Sequence, residues 1–295
     1  MEDIEDIEDM EDIEYIGVHI NKQKTLLNTM EFITYNNGNS LQFFASNPRS
    51  IQLANIEKYK KESTKILEYC EENNFKLVIH SPYTINLAKE FKNGNRECEL
   101  KDCYWIKLIL NELIVSDILG AIGSILHVGK HTSLTYNDGL SNMKIALKYI
   151  IINMKVLELK SKIILETPAG QGSELLKNLQ DFMDFYNSFS KDEKKYFKIC
   201  IDTAHIWSNS YELEYAFELI LKKNAKDVAV IHYNNSEKNK GSHVDVHAPL
   251  FEGKIPLIDL ENIIKILKKY KATPIIILEC PSNNFKKEFE WIKDI

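Results

Sequence analysis

Six side chains able to bind a metal end six successive apolar runs of this sequence. They are His80 after "KLVI", His127 after "GSIL", Glu166 after "KIIL", Asp202 after "KICI", His232 after "VAVI" and Glu279 after "PIIIL". A lone histidine beside an apolar run is usually a hydrogen-bonded rim residue, and a lone glutamate a solvated one. Three imidazoles and three carboxylates gathered in one place would need a partner for every charge, and metal ions supply such partners. Two further spacings extend the set. "DTAH" puts His205 three residues after Asp202, and "VDVH" puts Asp245 and His247 two apart, so that both face one way in an extended segment. His243 alternates with them in "GSHVDVHAP". A mixed histidine and carboxylate set without cysteine suits zinc or manganese. Nine ligands are more than one ion needs and generous for two, which suggests three ions with one carboxylate shared.

Positioning these groups together requires the runs to be neighbouring strands. Eight runs, 15–20, 41–45, 76–80, 123–128, 162–167, 198–203, 228–233 and 274–279, have the length and β-branched content of strands buried on both faces of a parallel sheet. Segments 51–74, 99–119, 138–159, 173–189, 211–223 and 257–270 carry apolar residues at mixed spacings of three and four and read as helices. Eight strands alternating with helices predict an α/β (β/α)8 TIM barrel, whose sites gather at the C-terminal ends of its strands. An open doubly wound sheet is the alternative, but no glycine-rich phosphate fingerprint follows the first run. No Pro/Gly/Ser-rich linker divides 15–295, which reads as one domain.

The net charge of −6 conceals an asymmetry. Residues 1–14, "MEDIEDIEDMEDIE", hold nine carboxylates and no base, leaving 34 acidic against 37 basic residues in the rest. A mildly basic body behind an acidic tail fits a nucleic-acid partner better than the overall charge does. The tail's period of three matches neither helix nor strand, so it reads as a solvated, disordered arm. A phosphate mimic folding over a basic groove, or a docking handle, is the functional alternative. The five cysteines are scattered with no CxxC pair, no signal peptide is evident, and no apolar run approaches the ~18–20 residues of a membrane span. These features lead us to expect a soluble intracellular protein with reduced thiols. The richness in Asn, Ile and Lys suits an AT-rich genome, such as that of a large cytoplasmic DNA virus.

The segments "HSPYTINLAKE", "LHVGKH", "ETPAGQGSEL", "CIDTAHIW", "IHYNNS", "GSHVDVHAPLFEGKI" and "IIILEC" closely resemble the successive signatures of the endonuclease IV family, zinc-dependent apurinic/apyrimidinic endonucleases built on a (β/α)8 barrel. The resemblance runs over essentially all of the chain after the acidic arm. It implies that His80, His127 and Glu166 hold one zinc, and that Glu166, Asp202, His232 and Glu279 hold a second, with Glu166 bridging. His205, Asp245 and His247 would hold the third; manganese could occupy some sites. The implied reaction is cleavage of the phosphodiester 5′ to an abasic site in duplex DNA, with Glu279 and Glu166 catalytic, and with trimming of blocked 3′ ends. The products would be a 3′-hydroxyl and a 5′-deoxyribose phosphate, and the enzyme is expected to act as a monomer. By the same resemblance Tyr83 and Arg49 would enter the duplex beside the lesion, and Gln171 would line the substrate pocket. His243 has no ligand position to fill and is expected to face solvent, near DNA phosphate at most.

The chain departs from the family's usual residues at Val128, Asn235, Tyr233, Val246 and Thr84. None of these is a ligand. The absence of a base at Val246 and of a wedge at Thr84 bears on DNA grip; lysine pairs such as 194–195 or 222–223 could compensate, although paired lysines on helices are usually a solvated face. A metal-dependent sugar isomerase or epimerase of the xylose isomerase type is the rival reading, and a non-catalytic DNA-binding barrel with structural zinc is a second. "DTAH" with "VDVH" supplies more ligands than the first rival uses, and the shared carboxylates leave room for water that the second would exclude.

Overall fold

A computed structural model describes residues 13–93 and 96–295. The acidic stretch expected as an arm lies outside the described residues up to position 12. All eight expected strands form: β1 (Ile16–His19), β2 (Ser40–Phe43), β3 (Lys76–His80), β4 (Gly123–Leu126), β5 (Lys162–Glu166), β6 (Phe197–Asp202), β7 (Val228–His232) and β8 (Ile275–Leu278). They pair in parallel and in chain order, and β1 closes the barrel on β8 through Ile16–Ile276 and Val18–Leu278.

Strand parity decides which side chains enter the barrel. Val78, Ile125, Ile164, Cys200, Val230, Ile275 and Ile277 pack on one another as a separate inner core, whereas the intervening residues Leu77, Ile79, Ile163, Leu165, Ile199, Ile201 and Ile276 belong to the layer under the helices. Side chains two residues apart share a face of a strand. Moving two residues on from the inner core therefore reaches His80, His127, Glu166, Asp202, His232 and Glu279. The same periodicity that buries the aliphatic floor turns the six ionisable groups inward above it.

The helices are α1 (Leu26–Tyr35), α2 (Ile56–Glu72), α3 (Tyr104–Ile118), α4 (Tyr136–Val156), α5 (Leu179–Asn187), α6 (Thr203–Ser208), α7 (Leu213–Asn224), α8 (Leu257–Lys269) and α9 (Phe285–Asp294). Caps set several starts: Thr25, Asn55, Thr135 and Asn178 each accept a backbone N–H of the first turn. The helix expected over 173–189 is shorter, because 173–178 remain loop and Leu176 has φ 57°. The α1 helix lies in a connection for which the sequence reading named no helix, although Thr25 followed by Leu26, Met30 and Ile33 carries a cap and a buried stripe. No helix among the described residues is long and apolar enough to cross a membrane.

Candidate metal centre

Each candidate ligand reaches the barrel mouth from its own strand end or loop. At β3, β4 and β5, His127 Nε2 lies 3.3 Å from His80 Nε2 and 3.1 Å from Glu166 Oε2, and His80 Nε2 lies 3.9 Å from the same oxygen. The three ligand atoms therefore surround one point. His80 Nδ1 donates to the Ser81 carbonyl at 2.8 Å, which leaves Nε2 with its lone pair toward that point.

The other oxygen of Glu166 serves a second group. His232 Nδ1 lies 2.7 Å from Glu166 Oε1, 3.2 Å from Glu279 Oε2 and 3.5 Å from Asp202 Oδ2. Glu166, Asp202 and His232 are buried. Cys200 falls within reach of Glu166 and His232; its side chain packs in the inner core, where burial pushes the thiol up to about 12.

A third group forms where "DTAH" and "VDVH" meet. Asp202 caps α6, accepting the His205 N–H at 2.8 Å, and this turn of helix aims the His205 ring back over the mouth. A two-residue ladder pairs Asn235–Ser236 with His247–Ala248 and returns the loop after β7 over the same place. Asp245 Oδ1 then lies 3.3 Å from His205 Nε2 and 3.1 Å from His247 Nε2, while Asp202 Oδ2 lies 3.4 Å from His247 Nε2. His205 Nδ1 donates to the Thr167 carbonyl at 2.8 Å. His243 is exposed, with φ 53°, and its ring lies beside Gly170 rather than in the cluster.

The donor set fits metal ions on two counts. Glu166 Oε2, His205 Nε2 and His247 Nε2 are buried with no hydrogen-bond partner, a costly state for polar atoms unless something else binds them. The charges also depend wholly on one another. Burial would raise the Glu166 carboxyl, but His127, His232 and His205 outweigh it and hold the group low; burial would lower His205, but Asp202, Asp245 and Glu166 hold it well above the usual imidazole range. Burial and the adjoining His127 push His80 down to about 3. Cations at the three points would balance the carboxylates and leave the imidazoles neutral, as ligands must be. The structure thus gathers clustered ligand sites for several metals, of a zinc-compatible type, at the C-terminal ends of the strands.

Two of the eight inward positions at the mouth escaped the sequence reading, His19 on β1 and Gln42 on β2. Gln42 is fully buried; its Oε1 accepts from His232 Nε2 at 2.8 Å, and its Nε2 donates to Glu279 Oε1 at 2.8 Å and to His19 Nδ1 at 2.9 Å. One amide thereby fixes the tautomer of His232 and the rotamer of Glu279. Asn234 was also missed; its Nδ2 donates to Asp202 Oδ2 at 2.9 Å and Glu279 Oε2 at 3.1 Å, and its Oδ1 accepts the Glu279 N–H. The signal for Gln42 was an amide inside an apolar strand, which needs a polar partner in the barrel. Replacing Gln42 with leucine is expected to weaken metal binding by roughly 10–100-fold, the usual effect of losing a partner that orients ligands. Competition with a chromophoric chelator measures this, and unchanged affinity would remove Gln42 from the role.

The mouth opens into a cavity of about 600 Å³ bordered by Phe44, His80, Tyr83 and His127. Tyr83 is exposed on its rim, with ring centroids 5.5 Å from Phe44 and 5.6 Å from His80. Its N–H donates to the Pro48 carbonyl at 2.9 Å, and Thr84 Oγ1 donates to the Ser50 carbonyl at 2.9 Å. These two bonds flank the exposed Arg49 and tie its loop to that of Tyr83. Gln171 borders a neighbouring cavity of about 510 Å³ that shares Tyr83, His127 and Asp245. The lysine pairs 194–195 and 222–223 do not reach this end: they precede β6 and β7, on the N-terminal side of the barrel, and so cannot substitute for a base at Val246. Asn235 makes a structural contribution that an aspartate could not, donating to the Leu250 and Ile255 carbonyls at 2.7 and 3.0 Å.

The family model described as a xylose isomerase-like TIM barrel matches residues 37–295. A probable endonuclease 4 of Finegoldia magna is 30% identical over 287 residues, covering 94% of this chain and 96% of its own. Among solved structures, endonuclease IV from Thermus thermophilus superposes with a TM-score of 0.71 at 20% identity, over 95% of this chain and 100% of that one. A D-tagatose 3-epimerase-like protein gives 0.68 at 17% identity, over 95% and 96%. The two superpositions establish the barrel alone, since they barely differ. The sequence relationship to endonuclease 4, nearly end to end, separates the two classes: the chain belongs to the endonuclease IV family of xylose isomerase-like TIM barrels.

Proposed function

We propose that the protein is a DNA repair endonuclease that hydrolyses the phosphodiester 5′ to an abasic site in duplex DNA, leaving a 3′-hydroxyl and a 5′-deoxyribose phosphate, and that it also trims blocked 3′ ends. It would act as a monomer, inside the cell, where its five cysteines remain thiols. The observation that carries the reading is the third ligand group, His205, Asp245 and His247, built beside the pair that share Glu166. A sugar isomerase or epimerase needs no such group, whereas transfer at a phosphodiester develops charge on attacking and leaving oxygens together.

In this proposal His80, His127 and Glu166 hold one zinc, Glu166, Asp202, His232 and Glu279 a second, and His205, Asp245 and His247 the third, with manganese able to replace some. When bound, the ions supply Lewis acidity, making water ionise near neutral pH and neutralising charge on the phosphate. Glu166 sets the spacing of the first two sites through its two oxygens. Glu279, held from both sides by Gln42 and Asn234, orients the attacking water. Tyr83 and Arg49, on loops bonded to each other, fill the gap left by the missing base, and Gln171 lines the pocket for the exposed sugar.

A duplex carrying one abasic site tests this directly. Incision at that site with a ligatable 3′-hydroxyl, abolished by a zinc chelator and restored by zinc, is the expected result. Equal nicking of an undamaged duplex, or none of either, would sink the repair reading, and ketose epimerisation would favour the rival.

A further inference from the structure

The opposite end of the barrel holds a larger cavity, of about 850 Å³, that the metal chemistry does not use. Its floor is apolar, formed by residues at the starts of strands, including Ile122, Val228 and Ile275. Among the described residues its wall carries Lys76, Lys160, Lys162, Lys198, Lys226 and Lys271 and the carboxylate of Asp117. Asp117 is engaged with the backbone N–H groups of Lys160 and Ser161, and Lys198 is paired with Asp227. Lys162 is half-buried, and its ammonium is held below its usual range by burial and by Lys198. Such a wall favours an anion with several charges and an apolar surface between them.

The chain itself carries such a segment, and its root lies at this cavity. Tyr15 lines the cavity, and the Lys76 ammonium lies 4.9 Å from the centre of its ring. Glu14 is fastened beside it: its carbonyl accepts from Asn39 Nδ2 at 2.8 Å and its carboxylate from Asn74 Nδ2 at 3.1 Å, and Tyr15 OH donates to Asn74 Oδ1 at 3.0 Å. Residues 1–12 continue from there with eight carboxylates, no base, and Ile4, Ile7 and Met10 between acidic pairs. Twelve residues reach up to ~40 Å, enough to cross the cavity.

We propose that residues 1–12 dock on the basal cavity of their own chain, with carboxylates on the lysine wall and Ile4, Ile7 and Met10 over the apolar floor. Docking there keeps eight negative charges at the end of the barrel away from the mouth, where the same reach would let them compete with DNA phosphate. The arm then restrains its own interference instead of mimicking a substrate.

Zero-length carbodiimide coupling of the full-length protein, prepared as a mixture of light and heavy isotope forms and read by mass spectrometry, tests this. The expected links join carboxylates of residues 2–12 to Lys76, Lys160, Lys162, Lys226 or Lys271 within one chain. They should fall several-fold in 0.5 M salt, where the Debye length shrinks to about 4 Å, and in the K160Q/K162Q/K226Q variant. Mixed-isotope links would place the arm on a second copy and overturn the proposal. Links chiefly to Lys238 or Lys240, on the loop after β7, would overturn it by placing the arm at the mouth. Absence of arm links would leave the cavity to an external anion and also overturn it.

Discussion

Glu166→Gln is expected to abolish incision and to reduce bound metal from about three zinc equivalents to between one and two. Its two oxygens face different groups, Oε2 toward His127 and Oε1 toward His232, and the side chain is 1% exposed. Glutamine keeps the shape but removes the charge shared between the first two sites and turns an N–H donor toward one of them. The third group contains neither oxygen of Glu166 among its closest pairs, so it should retain its ion. Emptying the first site and weakening the second removes the charge stabilisation of the transition state, a loss in rate on the order of 10³-fold or more. Metal analysis with incision kinetics decides the outcome, and an unchanged melting curve without added metal excludes a folding defect. If metal content stayed unchanged, the bridging assignment would be wrong.

The six ionisable groups were legible because strand parity and strand ends coincide. A run such as "KIILE" announces both a buried strand and the group that its alternation turns inward beyond the last aliphatic layer. The barrel followed from the count of such runs, since a closed parallel sheet is what lets all of them end at one mouth. The candidate ligands on the loops were legible for a different reason. Asp202 serves at once as candidate ligand and as the cap that places His205 three residues on, so the spacing in "DTAH" encodes a local hydrogen bond.

What escaped were groups whose roles arise only from neighbours far away in sequence. Gln42 meets Glu279 across 237 residues and His232 across 190, and nothing within "LQFFA" specifies either partner. Asn234 lies in "HYNNS" just after β7, and only the fold brings its amide between Asp202 at the end of β6 and Glu279 beyond β8. The six-residue α6 is too short to show helical periodicity, and residues 173–178 carry apolar side chains that pack as loop rather than helix. Thr84 reads as a lost wedge until its hydroxyl is seen holding the Arg49 loop. In each case tertiary contact assigned a role that local pattern left open.

Glu279→Gln separates a group that orients water from one that only holds metal. Gln42 Nε2 donates to Oε1 and Asn234 Nδ2 to Oε2, so both carboxylate oxygens already accept an amide N–H. Glutamine must present its own NH2 to one of these donors, which costs the orientation on at least one side. The second site would keep Glu166, Asp202 and His232, so metal content should fall by less than one equivalent on average. The rate of incision at saturating abasic duplex should nevertheless fall about 10²–10³-fold, with affinity for the damaged duplex nearly unchanged, since Tyr83 and the Arg49 loop remain in place. A loss confined to KM would assign Glu279 to substrate binding, and cleavage that survived unaltered would remove it from the reaction. Zinc added in excess discriminates further: a defect that zinc repairs belongs to metal retention, and one that persists at full occupancy belongs to the orientation that Gln42 and Asn234 impose.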